Sequence, residues 1–164
     1  MALVEGARLP DLDLALPDGS RRRLRDYVGK PLVLYFYPKD DTPGCTREAQ
    51  DFSALHAAFQ AIGVALLGVS RDTPAKHQKF AAKYDLTVPL ASDDEGTVTE
   101  AFGAWVEKQL YGRTYMGIDR STFLFDASGV LVRAWRKVRV AGHADAVLEA
   151  ARALDASQES AEIA

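Results

Sequence analysis

Cysteine is nearly absent from this sequence: the 164 residues contain one, Cys45. An internal disulfide therefore cannot form, and a zinc site built from several cysteines is excluded. A chain of this length can bury roughly two-thirds of its unfolded surface, so neither a disulfide nor a metal site is needed for a stable fold. We expect a single domain over residues 4–154, followed by a polar, frayed tail at residues 155–164.

Long apolar runs are also missing. The longest, residues 32–37 and 64–69, are far shorter than the ~20 residues that a membrane-spanning helix needs. The N-terminus lacks the positive start and apolar stretch of a signal peptide, so we expect a soluble, cytoplasmic protein that binds no membrane. A formal net charge of −3 argues against a nucleic acid as partner.

Motifs of several other enzyme classes are absent. No Gly-rich phosphate loop follows a strand, and no Gly-x-Ser-x-Gly sequence marks a serine nucleophile. His56, His77 and His143 have no second ligand at metal-binding spacing, so we expect them at the surface or in packing. The acidic pair Asp40-Asp41 lacks the spacing of a calcium loop. We therefore expect neither a metal nor an organic cofactor.

The pattern of apolar residues predicts alternating strands and helices. Residues 32–37 and 64–70 are β-rich apolar runs, as in strands covered on both faces. Apolar residues recur every three or four positions over residues 43–62, which predicts an amphipathic helix. Further strands are predicted at 12–16, 21–24, 88–91, 121–126 and 130–137, and further helices at 74–84, 95–102 and 144–154. This order predicts an α/β sandwich with a mixed central β-sheet flanked by helices, and it resembles the thioredoxin fold.

Cys45 is predicted to lie in the first turn of the helix that follows the strand at residues 32–37. Thr42 is expected to cap this helix, and Pro43 suits its first position. The thiolate is the nucleophilic form of cysteine, and a free thiol with a pKa of ~8.5 is only about 3% ionised at neutral pH. A helix N-terminus stabilises an anion by at most ~2 kcal/mol. A reactive sulfur here therefore also needs a hydroxyl donor and a cation.

Two interpretations of Cys45 remain open from the residues alone. A lone cysteine commonly serves as a small buried apolar residue. However, the flanking Gly44, Thr46 and Arg47 are not typical of a core, and the start of a helix is a position at which sulfur is activated. The residue is thus either a packing group or a nucleophile.

The segment around this cysteine resembles the active site of a known family. Pro38-x-x-x-Thr42-x-x-Cys45 is similar to the peroxiredoxin signature, and residues 35–46 resemble its Q-type branch, also called bacterioferritin comigratory protein. Similar motifs follow, in the same order along the chain, at residues 67–70, 80–84, 111–114 and 118–123. The resemblance covers residues 10–154 and implies a peroxidase with the thioredoxin fold.

The resemblance also implies a role for five side chains. Cys45 would attack a peroxide oxygen and become a sulfenic acid. Thr42 would hydrogen-bond the sulfur and the peroxide, and Pro38 would shield the sulfur. Arg120 would supply the missing cation and favour charge that builds on the peroxide oxygens. Glu48 would orient that arginine, although a solvent-facing acid in the first helical turn is nearly as good an interpretation.

The sequence departs from many Q-type proteins because it has no second, resolving cysteine. Gln50 stands five residues after Cys45, where many members carry it, and residues 80–83 contain none either. We therefore expect a one-Cys cycle in which hydrogen peroxide or an organic hydroperoxide oxidises Cys45 and an external thiol reduces it. Thioredoxin, glutaredoxin or a low-molecular-weight thiol would be the partner, and the resemblance favours a monomer. Arg113 either extends the pocket or pairs with an acid on a loop.

Two other functions fit parts of the pattern. A redox sensor would be oxidised once and then signal to a partner with little turnover, which is compatible with the missing second cysteine. Thr42 and Arg120 favour the peroxidase, because a sensor does not need a pocket built for turnover. A thiol-disulfide oxidoreductase is disfavoured, since Thr42 stands where the first cysteine of a Cys-x-x-Cys pair would be.

Overall fold

A computed structural model describes the backbone of residues 3–163 and the side chains of residues 3–154. The strands are β1 (Asp13–Ala15), β2 (Arg21–Arg23), β3 (Leu32–Phe36), β4 (Ala65–Ser70), β5 (Leu90–Ser92), β6 (Trp105–Leu110), β7 (Arg113–Ile118), β8 (Ser121–Phe125) and β9 (Leu131–Trp135). The helices are α1 (Pro43–Ala61), α2 (Pro74–Tyr84), α3 (Thr97–Ala101) and α4 (His143–Ile163). A short 3-10 helix spans Leu24–Tyr27.

Seven of the strands form one sheet in the order β2-β1-β5-β4-β3-β8-β9. The central strands β3, β4 and β5 run parallel to one another, while β8 pairs antiparallel with β3 on the other side. The remaining pairs are antiparallel, and β6 and β7 form a separate two-stranded sheet. The predicted mixed sheet flanked by helices is therefore confirmed.

The sheet separates two apolar clusters, which is why its central strands are buried on both faces. Successive residues of β3 alternate between them: Val33 and Tyr35 belong to one cluster, and Leu34 and Phe36 to the other. The first cluster is completed by α1, α2 and α4, through side chains that include Phe52, Phe59, Phe80 and Val147. The second is completed by α3 and the β6–β7 hairpin, through side chains that include Val98, Phe102 and Ile118.

All the predicted strands and helices are present. The differences are two additional elements and a longer last helix. The β6–β7 hairpin and the 3-10 helix were not predicted. The last helix was predicted to end at Leu154 but continues to Ile163, because the following Ala, Gln, Glu and Ser residues include no Gly or Pro that would end it. The side chains beyond Leu154 lie outside the described residues, so the frayed tail stays a prediction. Within the described part, no helix is both long and apolar enough to span a membrane.

The pairing of β3 with β8 fixes the geometry of one end of the sheet. Phe36, the last residue of β3, pairs with Ser121, the first residue of β8. Arg120, directly before β8, therefore lies at the end of the sheet where β3 ends and the chain leads into α1. The carboxyl ends of such central strands are where α/β sheets commonly bind ligands.

Candidate active site

Cys45 lies in the first turn of α1, as predicted, with 2% of its surface exposed. Thr42 is the N-cap residue and Pro43 the first helical residue. The helix begins with the Thr46 amide donating to the Thr42 carbonyl at 2.8 Å. The sulfur therefore lies beside the unpaired amides and the positive dipole end of a helix of 19 residues.

Arg120 joins Cys45 to Glu48. Its Nη2 donates to Cys45 Sγ at 3.3 Å, and its Nη1 donates to Glu48 Oε1 at 2.7 Å. Glu48 is 1% exposed, so the alternative of a solvent-facing acid is wrong. Side chains from α1 and from the β7–β8 connection thus form one buried cluster in which a guanidinium donates to the sulfur.

The burial of Glu48 has an electrostatic consequence. Burial raises the pKa of Glu48 to about 7, although the Arg120 charge and hydrogen bond act in the opposite direction. Its second oxygen, Oε2, has no hydrogen-bond partner in the described structure. Burial alone would lower the pKa of Arg120, but the charges of Glu48 and Cys45 outweigh it and the pKa of Arg120 is raised. Arg120 therefore stays charged beside the sulfur.

Thr42 and Pro38 lie on the loop that leads into α1. Thr42 occupies the predicted N-cap position, but its hydroxyl makes no capping bond and donates to the Lys39 carbonyl at 2.8 Å. Because a hydroxyl has one hydrogen to give, Thr42 does not donate to Cys45, and the sulfur has Arg120 as its hydrogen-bond partner in this structure. Pro38 is half-buried directly after β3, at the start of the same loop.

Arg113 lies apart from this cluster. It begins β7, is exposed, and has no carboxylate within ion-pair distance among the described residues. Neither alternative proposed for it, a pocket residue or an ion pair on a loop, is supported by a contact.

Two residues near the cluster were not identified from the sequence as neighbours of Arg120. His143, at the start of α4, lies 2.7 Å through Nε2 from Thr122 Oγ1, and burial together with the Arg120 charge lowers the pKa of His143 to about 4. Lys108 of β6 is half-buried, and burial lowers the pKa of Lys108; the Asp119 charge opposes this shift and the Arg120 charge adds to it. Only the tertiary fold brings these side chains near the sulfur, so no local sequence signal pointed to them.

The chemistry of the cluster follows from these contacts. A small side chain with nucleophilic potential lies against a helix N-terminus and a fixed guanidinium, which are groups that favour a thiolate. A 490 Å³ surface cavity elsewhere, lined by Tyr27, His56 and Leu66 among others, includes none of these groups. Cys45 is therefore the position in the described structure that is suited to nucleophilic sulfur chemistry.

Comparison with known proteins decides the family. The model of the AhpC/TSA family matches residues 6–134. Peroxiredoxin Bcp of Xanthomonas campestris is 51% identical over 143 residues, which are 87% of this chain and 89% of the relative. Peroxiredoxin Bcp of Bacillus subtilis is 47% identical over 149 residues, 91% of this chain and 95% of the relative.

This chain belongs to the peroxiredoxins. Solved structures place it in the Q-type branch: bacterioferritin comigratory protein of X. campestris superposes with a TM-score of 0.86 at 47% identity, covering 93% of this chain and 99% of that one. A peroxiredoxin Q mutant of Xylella fastidiosa gives a TM-score of 0.88 at 40% identity, covering 93% and 98%. The resemblance to Q-type peroxiredoxins is thus confirmed. With one cysteine in its sequence, this peroxiredoxin is a variant that lacks the resolving cysteine.

Proposed function

We propose that this peroxiredoxin reduces hydrogen peroxide and organic hydroperoxides through a one-Cys cycle at Cys45. The observation that carries the proposal is the hydrogen bond from Arg120 Nη2 to Cys45 Sγ at 3.3 Å, at the N-terminus of α1. A cysteine that served only in packing would not need a charged donor brought from the distant β7–β8 connection. The related X. campestris protein is described as having alkyl peroxide reduction activity, which supports the same reaction class here.

In the first step, the Cys45 thiolate attacks one peroxide oxygen and the O–O bond breaks. The sulfur is oxidised to sulfenic acid, and the other oxygen leaves with a proton as water or an alcohol. Arg120 holds the thiolate before attack and donates to the peroxide oxygens as charge builds on them. The Thr42 oxygen, whose hydrogen already goes to Lys39, accepts the hydrogen bond of the peroxide O–H group.

The remaining site residues keep Arg120 and the sulfur in place. Glu48 anchors the guanidinium through Nη1, which leaves Nη2 free to face Cys45. Pro38, half-buried at the end of β3, limits the access of water and of large molecules to the sulfur.

In the second step, an external thiol reduces the sulfenic acid. The thiol sulfur attacks Cys45 Sγ, forming a mixed disulfide and releasing water, and a second thiol then releases the Cys45 thiolate and leaves as a disulfide. Thioredoxin, glutaredoxin and low-molecular-weight thiols are the candidate reductants. We further propose that the protein works as a monomer in the cytoplasm.

A turnover assay tests this proposal. Hydrogen peroxide and cumene hydroperoxide are each supplied in excess with dithiothreitol, and peroxide consumption is followed per mole of protein. We expect many turnovers for the unmodified chain and none for Cys45→Ser. Arg120→Lys should lower kcat/KM about 10- to 100-fold, because one ammonium cannot hold both contacts of the guanidinium.

The same assay separates the competing function. The single cysteine is also compatible with a sensor, which would consume one equivalent of peroxide and then stop. One turnover in the presence of excess thiol, or full activity in Cys45→Ser, would overturn the peroxidase proposal. A panel of thioredoxin, glutaredoxin and small thiols added to the oxidised protein then identifies the class of reductant.

A further inference from the structure

A second buried polar cluster lies beneath the loop that leads to Cys45. Asp40, on this loop, accepts the Tyr37 hydroxyl at 2.5 Å through Oδ1 and lies 2.6 Å from His77 Nδ1 through Oδ2. The His77 ring also lies 2.9 Å through Nε2 from the Ala91 carbonyl of β5. All three side chains of the cluster, Tyr37, Asp40 and His77, are buried, with His77 fully so.

The proton positions in this cluster follow from its acceptors. The Ala91 carbonyl only accepts, so His77 carries a hydrogen on Nε2. His77 Nδ1 and Asp40 Oδ2 face each other at 2.6 Å, a short hydrogen-bond distance. Every polar atom of the His77 ring is thereby used. A buried and fully bonded pair of this kind fixes one geometry, because losing either partner leaves the other unpaired in the interior.

The cluster ties the active-site loop to two other elements. Asp40 lies two residues after Pro38 and two before Thr42, and its backbone amide donates to Asp72 Oδ2 at 2.8 Å. Asp72 in turn accepts the Ser70 hydroxyl at the end of β4 at 2.7 Å. The loop is thus held from α2 through His77 and from β4 through Asp72.

The next residue of the loop is held as well. Asp41 has a φ of 59°, in the left-handed region that L residues rarely adopt. Its carboxylate accepts from Lys83 Nζ at 2.8 Å and from the Tyr84 hydroxyl at 2.5 Å, both at the end of α2. Two consecutive carboxylates therefore attach the loop to the same helix, one buried and one exposed.

We infer that Asp40 and His77 are positioning residues of the peroxidase reaction, which hold Pro38 and Thr42 where a peroxide bound at Cys45 meets them. This inference rests on the proposed function. Neither side chain is hydrogen-bonded to Cys45 in the described structure, so they act through the loop. Placing a bound reactant even about 1 Å from its productive position can cost on the order of 100-fold in rate.

The experiment compares two rates at the same sulfur. The first is kcat/KM for hydrogen peroxide with dithiothreitol, which needs Pro38 and Thr42 in place. The second is the rate of alkylation of Cys45 by iodoacetamide, which needs the thiolate and Arg120 but not the positioned loop. Near-ultraviolet circular dichroism shows that each variant is folded under the assay conditions.

We expect His77→Leu and Asp40→Ala to lower kcat/KM about 10- to 100-fold and to change alkylation by less than about 3-fold. Asp40→Asn should recover most of the activity, because its amide can donate to a neutral His77 and its oxygen can still accept from Tyr37. Tyr37→Phe removes one hydroxyl only and serves as the milder variant should the others fail to fold. His56→Gln, at a half-buried position of α1, is the matched histidine control.

Each contrary result rejects a different part of the proposal. Unchanged kcat/KM in folded Asp40→Ala and His77→Leu would overturn the positioning role, and so would parallel losses in peroxide and alkylation rates. An Asp40→Asn variant as defective as Asp40→Ala would show that the charge acts rather than the hydrogen-bonded geometry. A lack of turnover in the unmodified chain would instead reject the proposed function itself.

Discussion

In the proposed mechanism the reactivity of Cys45 depends on Arg120, whose terminal nitrogens are divided between two partners. Nη1 bonds the buried Glu48 carboxylate and Nη2 bonds the sulfur. The planar guanidinium can make both contacts in one rigid arrangement. Glu48 therefore fixes the direction of Nη2, and the sulfur receives a donor that does not have to be reoriented during the reaction.

Gly44 leaves the space that this arrangement needs. A Cβ at this position would lie 3.2 Å from Arg120 Nη2, so Gly44→Ala should push the guanidinium away from Cys45. We expect kcat/KM for hydrogen peroxide to fall about 10-fold, given that a hydrogen bond to a charged group contributes about 1.5–3 kcal/mol. The free energy of unfolding should stay equal or rise by up to ~1 kcal/mol, because alanine favours a helix over glycine. Peroxidase kinetics and urea unfolding measure the two effects, and equal activity would contradict the crowding argument.

The raised pKa of Glu48 predicts that the stability of the fold depends on pH. Its pKa is raised from an ordinary value of 4.5 to about 7 by burial. Between these values the folded chain binds more protons at this residue than the unfolded chain does, so stability falls as pH rises. Above about pH 8 both states are ionised and the Glu48 contribution should be constant.

The variant Glu48→Gln isolates this effect. The free energy of unfolding of the unmodified chain minus that of Glu48→Gln should decrease from about pH 4.5 to about pH 7 and then level off. His143, with its pKa lowered to about 4, acts in the opposite sense, since it costs stability as pH falls below its ordinary value. His143 is present in both chains, so its contribution largely cancels in the difference. Urea unfolding at several pH values provides the measurement, and a flat or rising difference would contradict the prediction.

At the scale of single residues, the sequence predicted the positions of the site residues better than their burial and their hydrogen bonds. The positions of Cys45 and Arg120 follow from a helix start and a strand start, which local patterns reveal. Glu48 is buried against Arg120, which comes from the β7–β8 connection, so a first-turn acid alone could not distinguish the two interpretations. The hydroxyl of Thr42 donates to the Lys39 carbonyl rather than to the sulfur. Local sequence carries no signal that distinguishes between these two acceptors.

At the scale of elements, the packing of α1 on the sheet places the helix start that carries Cys45. The Tyr35 ring of β3 stacks on Phe52 of α1 with ring centroids 4.5 Å apart. Tyr35 pairs across the sheet with Gly68 of β4. The ring extends over Gly68, because a Cβ there would lie 2.6 Å from the Tyr35 Cζ and Oη atoms.

This contact predicts the effect of Gly68→Ala. The added methyl group cannot be accommodated unless the fully buried Tyr35 ring moves, and overpacking of this kind costs typically about 1–3 kcal/mol. We expect the midpoint of thermal unfolding to fall by roughly 2–12 °C for a domain of this size. Differential scanning calorimetry is the measurement. Gly68→Ala in a Tyr35→Phe background, which removes one of the two contacting groups, should lose less than it does alone.

The β6–β7 hairpin is the larger of the two elements that were not predicted from the sequence. Its two-residue turn, Tyr111-Gly112, has positive φ at both positions, which is the geometry of a tight hairpin turn. Asparagine or aspartate before glycine is the usual signal for this turn, and tyrosine replaces it here. The strands also mix exposed charged and apolar residues, because the hairpin stands apart from the main sheet. Periodicity therefore gave no strand pattern.

At the scale of the whole molecule, one sulfur has to serve the entire cycle. The AhpC/TSA-like fold supplies the helix start and the guanidinium, but no second thiol that could protect the oxidised sulfur. The buried position of Cys45, with 2% of its surface exposed, also hinders a disulfide between two copies. Without a reductant, the sulfenic acid can only persist or react with more peroxide to give sulfinic and sulfonic acids.

Oxidation without thiol therefore has a predicted product. After treatment with peroxide, the intact protein should gain oxygen atoms at Cys45 and should form no internal disulfide. Met116 is 51% exposed and can also gain one oxygen, so the intact mass alone is ambiguous. Trapping with dimedone, a reagent for sulfenic acid, should label the unmodified chain but not Cys45→Ser, and peptide mapping should locate sulfinic acid at Cys45 when peroxide is in excess. A reduced and unlabelled Cys45 after this treatment would contradict both the reactivity of the sulfur towards peroxide and the one-Cys cycle built on it.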